Sequence, residues 1–155
     1  MAETPRYYAR PLFSRLVDED PRVVAEPRPG SALTRAQLLA QLAEDLDRLL
    51  NTRCRIPSRL LRRWPRGVSD YGVEDFTHLY VGREDDRREV ERMIRQAITT
   101  FETRLRSVRV HVEAPLPDGQ GLQVRIDGVL LLDRRRQPVS FPLTVRSRAS
   151  AGGGS

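Results

Sequence analysis

The chain of 155 residues has the length of one domain, and a second independent core does not fit within it. Its 27 basic side chains are all arginine and outnumber 21 acids for a net charge of +6, which favours phosphate or acidic partner surfaces and says nothing about fold. A hydrophobic fraction of 39% excludes disorder throughout, the longest aliphatic run (Val129 to Leu132) is far short of the ~18 residues of a membrane span, and Cys54, the single cysteine, excludes an intramolecular disulfide and points to a reducing cytoplasmic setting.

The first thirty residues hold Pro5, Pro11, Pro21, Pro27 and Pro29, which deny the segment a long helix. Residues 1–32 read as an extended proline-rich segment with one short anchor, Leu12 to Leu16, and Met1 to Arg10 has no apolar stretch suited to a secretory signal. From Leu33 the period becomes helical: Leu38, Leu39, Leu42, Leu46, Leu49 and Leu50 form one stripe. Thr34 with Gln37 predicts a capping box, and Leu33 with Leu38 a hydrophobic staple.

After Asn51 the prolines and glycines at Pro57, Pro65, Gly67, Gly72 and Gly82 predict short turns, pinned to the core by Trp64 and Phe76. A second helix is expected from Glu84, whose neighbours Asp85 and Asp86 suit the positive end of the helix dipole. Its apolar stripe runs through Val90, Met93, Ile94, Ala97, Ile98 and Phe101 to Leu105, with Arg88, Glu91, Arg92 and Arg95 facing water.

The period then changes to two. Val108, Val110 and Val112 alternate with polar residues, as do Leu122, Val124 and Ile126 after a loop containing Pro115, Pro117 and Asp118-Gly119. Gly128 marks an expected bulge, the strand continues through Leu130 and Leu132, turns over Asp133 to Pro138, and resumes with Val139, Phe141, Leu143 and Val145. Pro142 assigns the last strand to a sheet edge, since it has no ladder donor. The fold class is therefore α+β: helices packed on one face of a small C-terminal antiparallel β-meander, followed by a small-residue tail, residues 147–155, expected to be flexible.

Glu102 is the best single candidate for acid chemistry, but neither Glu113, Asp127 nor Asp75 has a spacing that makes it a partner carboxylate. His78, His111 and Cys54 show no ligand spacing, so no catalytic residue, metal or cofactor is expected. Arg59, Arg62, Arg63 and Arg66 around Trp64, and the hairpin tip Arg134 to Arg136, suit protein interfaces better than nucleic acid, because acids are interspersed and no recognised nucleic-acid motif is present.

Four strings in order carry a family resemblance over roughly Leu12 to Arg146. They are Leu12-Phe13-Ser14-Arg15-Leu16, Leu49-Leu50-Asn51-Thr52-Arg53, Tyr71-Gly72-Val73-Glu74-Asp75-Phe76, and Phe101-Glu102-Thr103-Arg104-Leu105. Together the chain resembles the TssE family, a baseplate component of bacterial type VI secretion systems that is similar to a wedge protein of contractile phage tails. In the last string Thr103 stands where the family carries proline; both charges remain, while a fixed backbone angle is lost and a donor restored.

The resemblance implies a single baseplate domain over residues 33–146 and a non-enzymatic role, docking into the wedge and priming the contractile sheath. It places partner contacts at Glu102, Arg104, Asn51, Arg53, Tyr71 and Gly72. The implied partners are the baseplate subunits TssF, TssG and TssK and the sheath proteins TssB and TssC, at the inner face of the cytoplasmic membrane, with no nucleic acid and no membrane insertion. The alternatives are a peptidoglycan-cleaving lysozyme-like enzyme, a label attached to the family, and a basic nucleic-acid-binding module.

Overall fold

A computed structural model describes residues 7–8, 33–56, 60, 70–132 and 135–146, with the side chains of residues 7, 8, 33 and 132 left aside. The Leu12 to Leu16 anchor, the basic cluster around Trp64, Arg134, the side chain of the staple residue Leu33 and the tail lie outside what is described. The chain divides into two units at Glu44/Asp45. In the first, β1 (Tyr7–Tyr8) pairs antiparallel with β2 (Leu33–Thr34), which leads into α1 (Arg35–Asn51).

The start of α1 follows from two side chains. The Gln37 N–H donates to Thr34 Oγ1 at 3.3 Å and the Thr34 N–H donates to Gln37 Oε1 at 2.8 Å, the reciprocal box that the sequence predicts. Leu38, Leu42, Leu46, Leu49 and Leu50 are buried along the helix, which crosses the boundary between the units.

The second unit holds the end of α1, then α2 (Glu84–Phe101), β3 (Leu105–Pro115), β4 (Gly121–Leu132) and β5 (Arg135–Arg146). Three acids occupy the first turn of α2, and Val90, Met93, Ile94, Ala97 and Ile98 form its buried face. Val90, Met93, Ile94 and Ile98 each contribute roughly 1.5–3 kcal/mol by burial. The helix stops at Phe101, and Leu105, expected on its stripe, begins β3 instead. Glu91, expected in water, accepts the Val112 N–H of β3 at 3.0 Å, so α2 lies alongside that strand.

The sheet order is β3-β4-β5, all antiparallel, and β5 is an edge, as Pro142 requires. Val110, Ile126 and Phe141 lie side by side on the buried face, while Arg109, Asp127 and Ser140 share the opposite one. Two expectations need correction. The bulge opposite Gly128 is on β3: the register slips between Arg106 and Arg109, with Ser107 at a φ of +52°. That extra residue lets Leu105 and Val108, three apart, both turn inward. A side chain at position 128 would crowd the Leu105 side chain at 3.3 Å and the Arg106 carbonyl at 3.4 Å. The second correction is that β5 resumes at Arg135, not Val139, with Arg135 and Arg136 paired to Leu132 and Leu131. The resulting fold is α+β, two helices and a three-stranded antiparallel sheet. Among the described residues no helix is long and apolar enough to cross a membrane.

Candidate functional site

The end of α1, the tyrosine-glycine string and the end of α2 converge. Beyond Asn51 the chain extends for long enough to form a parallel bridge between Arg53 and Val73: the Val73 N–H donates to the Thr52 carbonyl at 2.9 Å, and the Cys54 N–H to the Val73 carbonyl at 3.0 Å. Gly72 makes this approach possible. Its φ is +113°, and a Cβ there would stand 2.4 Å from the Thr52 carbonyl oxygen. Tyr71, next to it, meets Phe101 edge-on with ring centroids 5.3 Å apart, which joins the string to the last turn of α2.

Arg53 turns inward over its neighbours. Its guanidinium lies over the Phe76 ring at 5.1 Å and donates through Nη1 to the Leu50 carbonyl at 3.4 Å. Burial pulls its pKa down, and Asp75 acts against that effect. Cys54, also buried, directs its Sγ at the Ile56 carbonyl at 3.4 Å.

At the α2-to-β3 corner, Glu102 is 7% exposed, and its Oε1 accepts the Arg104 N–H at 3.0 Å and Nε at 2.7 Å. The Arg104 Nη2 bonds to Glu102 Oε2 and, at 2.6 Å, to Asp45 Oδ2 on α1. Burial alone would lower the arginine's pKa; the hydrogen bonds and charges of the two carboxylates outweigh it and raise the value. Tyr71 feels the same surroundings: burial raises its pKa, Arg48 acts against this, and the charges of Asp45 and Glu102 add to the rise. Thr103 is exposed at this corner, outside the charged cluster.

Asn51 forms a different link. Its Nδ2 donates to the Thr144 carbonyl at 3.0 Å and its Oδ1 accepts the Arg146 N–H at 2.9 Å, while Nδ2 also reaches the carbonyl and carboxylate of Asp47. The amide therefore engages β5 as a neighbouring strand would.

All six sequence-selected residues thus lie in one junction. Sequence reading missed Asp45 and the β5 ends of the Asn51 bonds. Asp45 had a local signal, a charge bordering the leucine stripe beside Leu46, whereas nothing local identified Thr144 or Arg146. The arrangement is chemically a clamp: Glu102 is engaged by Arg104 at both oxygens, and no cluster of three metal-ligating side chains occurs among the described residues. His78 is exposed, and His111 lies on the open face of the sheet 3.5 Å from Asp127.

No curated protein matches the sequence. Among solved structures, the chain is similar to one in a structure described as "The baseplate complex from the type VI secretion system", with 17% identity over 72% of this chain and 96% of that one and a TM-score of 0.49. The profile of the family described as baseplate wedge protein gp25 matches residues 36–135. That span takes in both helices, the junction and most of the sheet, and the chain belongs to the baseplate wedge protein gp25 family.

Proposed function

We propose that this chain is a structural subunit of a type VI secretion baseplate, docking into the wedge and priming assembly of the contractile sheath. The observation that carries the reading is membership of the wedge family over residues 36–135. The resemblance of the ordered strings to the TssE family supports the secretion-system branch, and three of those strings meet in one junction. TssF, TssG and TssK are the proposed wedge neighbours and TssB and TssC the proposed sheath partners. The protein acts in the cytoplasm at the inner face of the membrane.

Within this reading the junction has two tasks. Gly72, Tyr71, Asn51 and the Glu102–Arg104–Asp45 cluster hold the segments in place, and the unmatched donors of Arg104 and Arg53 are offered to a neighbour. Arg104 supports the second task, because its Nη1 is buried without a hydrogen-bond partner among the described residues, and so is Arg53 Nε. An unmatched buried donor costs about 1–3 kcal/mol, which an acceptor on a docked subunit would recover. No catalytic step is assigned, since Glu102 serves as a partner for Arg104. Co-expression with TssF, TssG and TssK tests the proposal: the chain is expected to purify with them as a complex. A correctly folded chain that joins none of them, in any combination, overturns it.

A further inference from the structure

The open face of the sheet, opposite the core, carries its charges in two unlike parts. Towards the β3–β4 turn they are matched within the face itself. Arg125 lies 3.4 Å from Glu113 and 3.9 Å from Asp127, His111 stands 3.5 Å from Asp127, and the Ser140 hydroxyl donates to the same carboxylate at 2.6 Å. Arg146 reaches Asp118 of the turn at 3.2 Å. At the other end, where β3 leaves the α2 corner, Arg106, Arg109 and Arg136 are exposed and make no ion pair among the described residues.

The register places these arginines around an apolar strip. Arg106 lies opposite Val129, Val129 opposite Pro138, and Leu131 opposite Arg136. Side chains directly opposite one another on a sheet face stand roughly 4.5–5.5 Å apart at Cβ, within contact. Leu131 is 45% exposed and Pro138 is exposed near it, so the strip is open to solvent. A lone exposed leucine means little, whereas a contiguous apolar strip inside a basic rim marks an interaction site.

The backbone of β3 is distorted to build this end. Residues 106 and 109 are an odd number apart and would face opposite sides of a regular strand. The extra residue at Ser107, held at a φ of +52° in the left-handed region that a side chain disfavours, turns both arginines outward.

We propose that this end of the open face docks an acidic segment of a neighbouring protein, one with carboxylates on both sides of an apolar side chain. Charge complementarity fixes that chemistry: carboxylates take up the forks of Arg106 and Arg136, and the apolar residue between them covers Val129 and Leu131. A nucleic-acid backbone offers nothing apolar to the strip, and beyond Arg109 it meets the carboxylates of Asp127 and Glu113, whereas a short protein segment ends before them. The contact uses side chains of the sheet face, not the main chain of its edges. That the neighbour is a baseplate subunit rests on the proposed function.

The test uses the full chain co-expressed with TssF, TssG and TssK and carrying the photoreactive substitution Leu131→p-benzoylphenylalanine. Irradiation is expected to join position 131 to a segment with carboxylates on both sides of an apolar residue. Adding Arg106→Glu and Arg109→Glu is expected to lower the adduct about tenfold per recovered partner. Adding Arg87→Glu and Arg95→Glu instead, at exposed positions of α2 and with the same change in net charge, is expected to keep it within about twofold. The probe in the otherwise unaltered chain reads the surface independently of these variants. An adduct with a segment lacking carboxylates, no adduct in a complex that holds the subunits, or equal losses in the two variants overturns this surface and leaves the proposed function standing. Binding of duplex DNA or phosphatidylglycerol vesicles by the isolated chain, lost with Arg106 and Arg109 and unaccompanied by a protein adduct, reassigns the face to phosphate and overturns it likewise. A chain that recovers no subunit overturns the proposed function, and with it the neighbour named here.

Discussion

Two groups of arginines in the same unit teach opposite lessons. Along α2, Arg88 pairs with Glu84 and Arg92 with Glu89 about one turn apart, and the Arg88 pair is 69% and 62% exposed. Such pairs are worth ~0–1 kcal/mol, because water solvates the separated charges almost as well. At the junction, Arg104 and Glu102 have side chains only 24% and 9% exposed, and Arg104 also reaches Asp45, 59 residues away in sequence. There the pair ties a helix to a helix-strand corner, and removing one member leaves the other charge buried. A net charge of +6 therefore mixes two populations, one that keeps the surface wet and one that holds the fold together.

The largest effect is expected from the backbone of the junction. Gly72→Ala should cost about 3 kcal/mol or more in denaturant unfolding, from a positive φ and contact with the Thr52 carbonyl. A loss under about 0.5 kcal/mol would mean that the bridge between Arg53 and Val73 shifts easily and that the junction is not rigid. Glu102→Ala follows, at about 2–3 kcal/mol, since it strands Arg104 with Asp45 alone. A value no larger than an α2 pair would erase the contrast drawn above.

Acid sharpens the comparison at smaller scale. The Asp75 carboxylate accepts the Thr77 N–H at 3.0 Å, the main reason its pKa is lowered; burial works against this and Arg53 reinforces it. The folded state therefore releases this proton more readily than the unfolded chain, whose aspartate titrates near ~3.9. The contribution is present above that value and is lost as pH falls through the lower folded one. Asp75→Asn should flatten that part of the acid limb of the stability profile. An unchanged limb would remove Asp75 from the junction's electrostatics. Smallest of all, Arg88→Ala should change stability by less than about 0.5 kcal/mol, and a larger loss would place α2's surface pairs with the junction.

The features legible in sequence are those decided within a few residues. The Thr34/Gln37 box, the stripe of α2 and the alternation in β4 each depend on neighbours three, four or two positions away. Pro138 misled because a proline in a turn-like run suggests a turn; facing outward on an edge strand, it gives up no ladder bond and the strand runs through it. Gly128 marked the place of the bulge but not its strand, since nothing within β3 itself announced the extra residue at Ser107. Asp45 with Arg104, Asn51 with β5, and Glu91 with Val112 are polar contacts between distant segments, and periodicity carries no information about them. The strings around Asn51, Tyr71 and Glu102 are weak singly and recognisable through their order and spacing, but only the fold shows that they form one place.

The most direct test of the central claim is made in the native host. A fluorescent TssB is imaged in cells whose own copy of this chain has been deleted and then restored. A priming baseplate subunit predicts no extended sheaths in the deletion and their return on restoration. Sheaths that extend and contract normally without the chain would contradict the account.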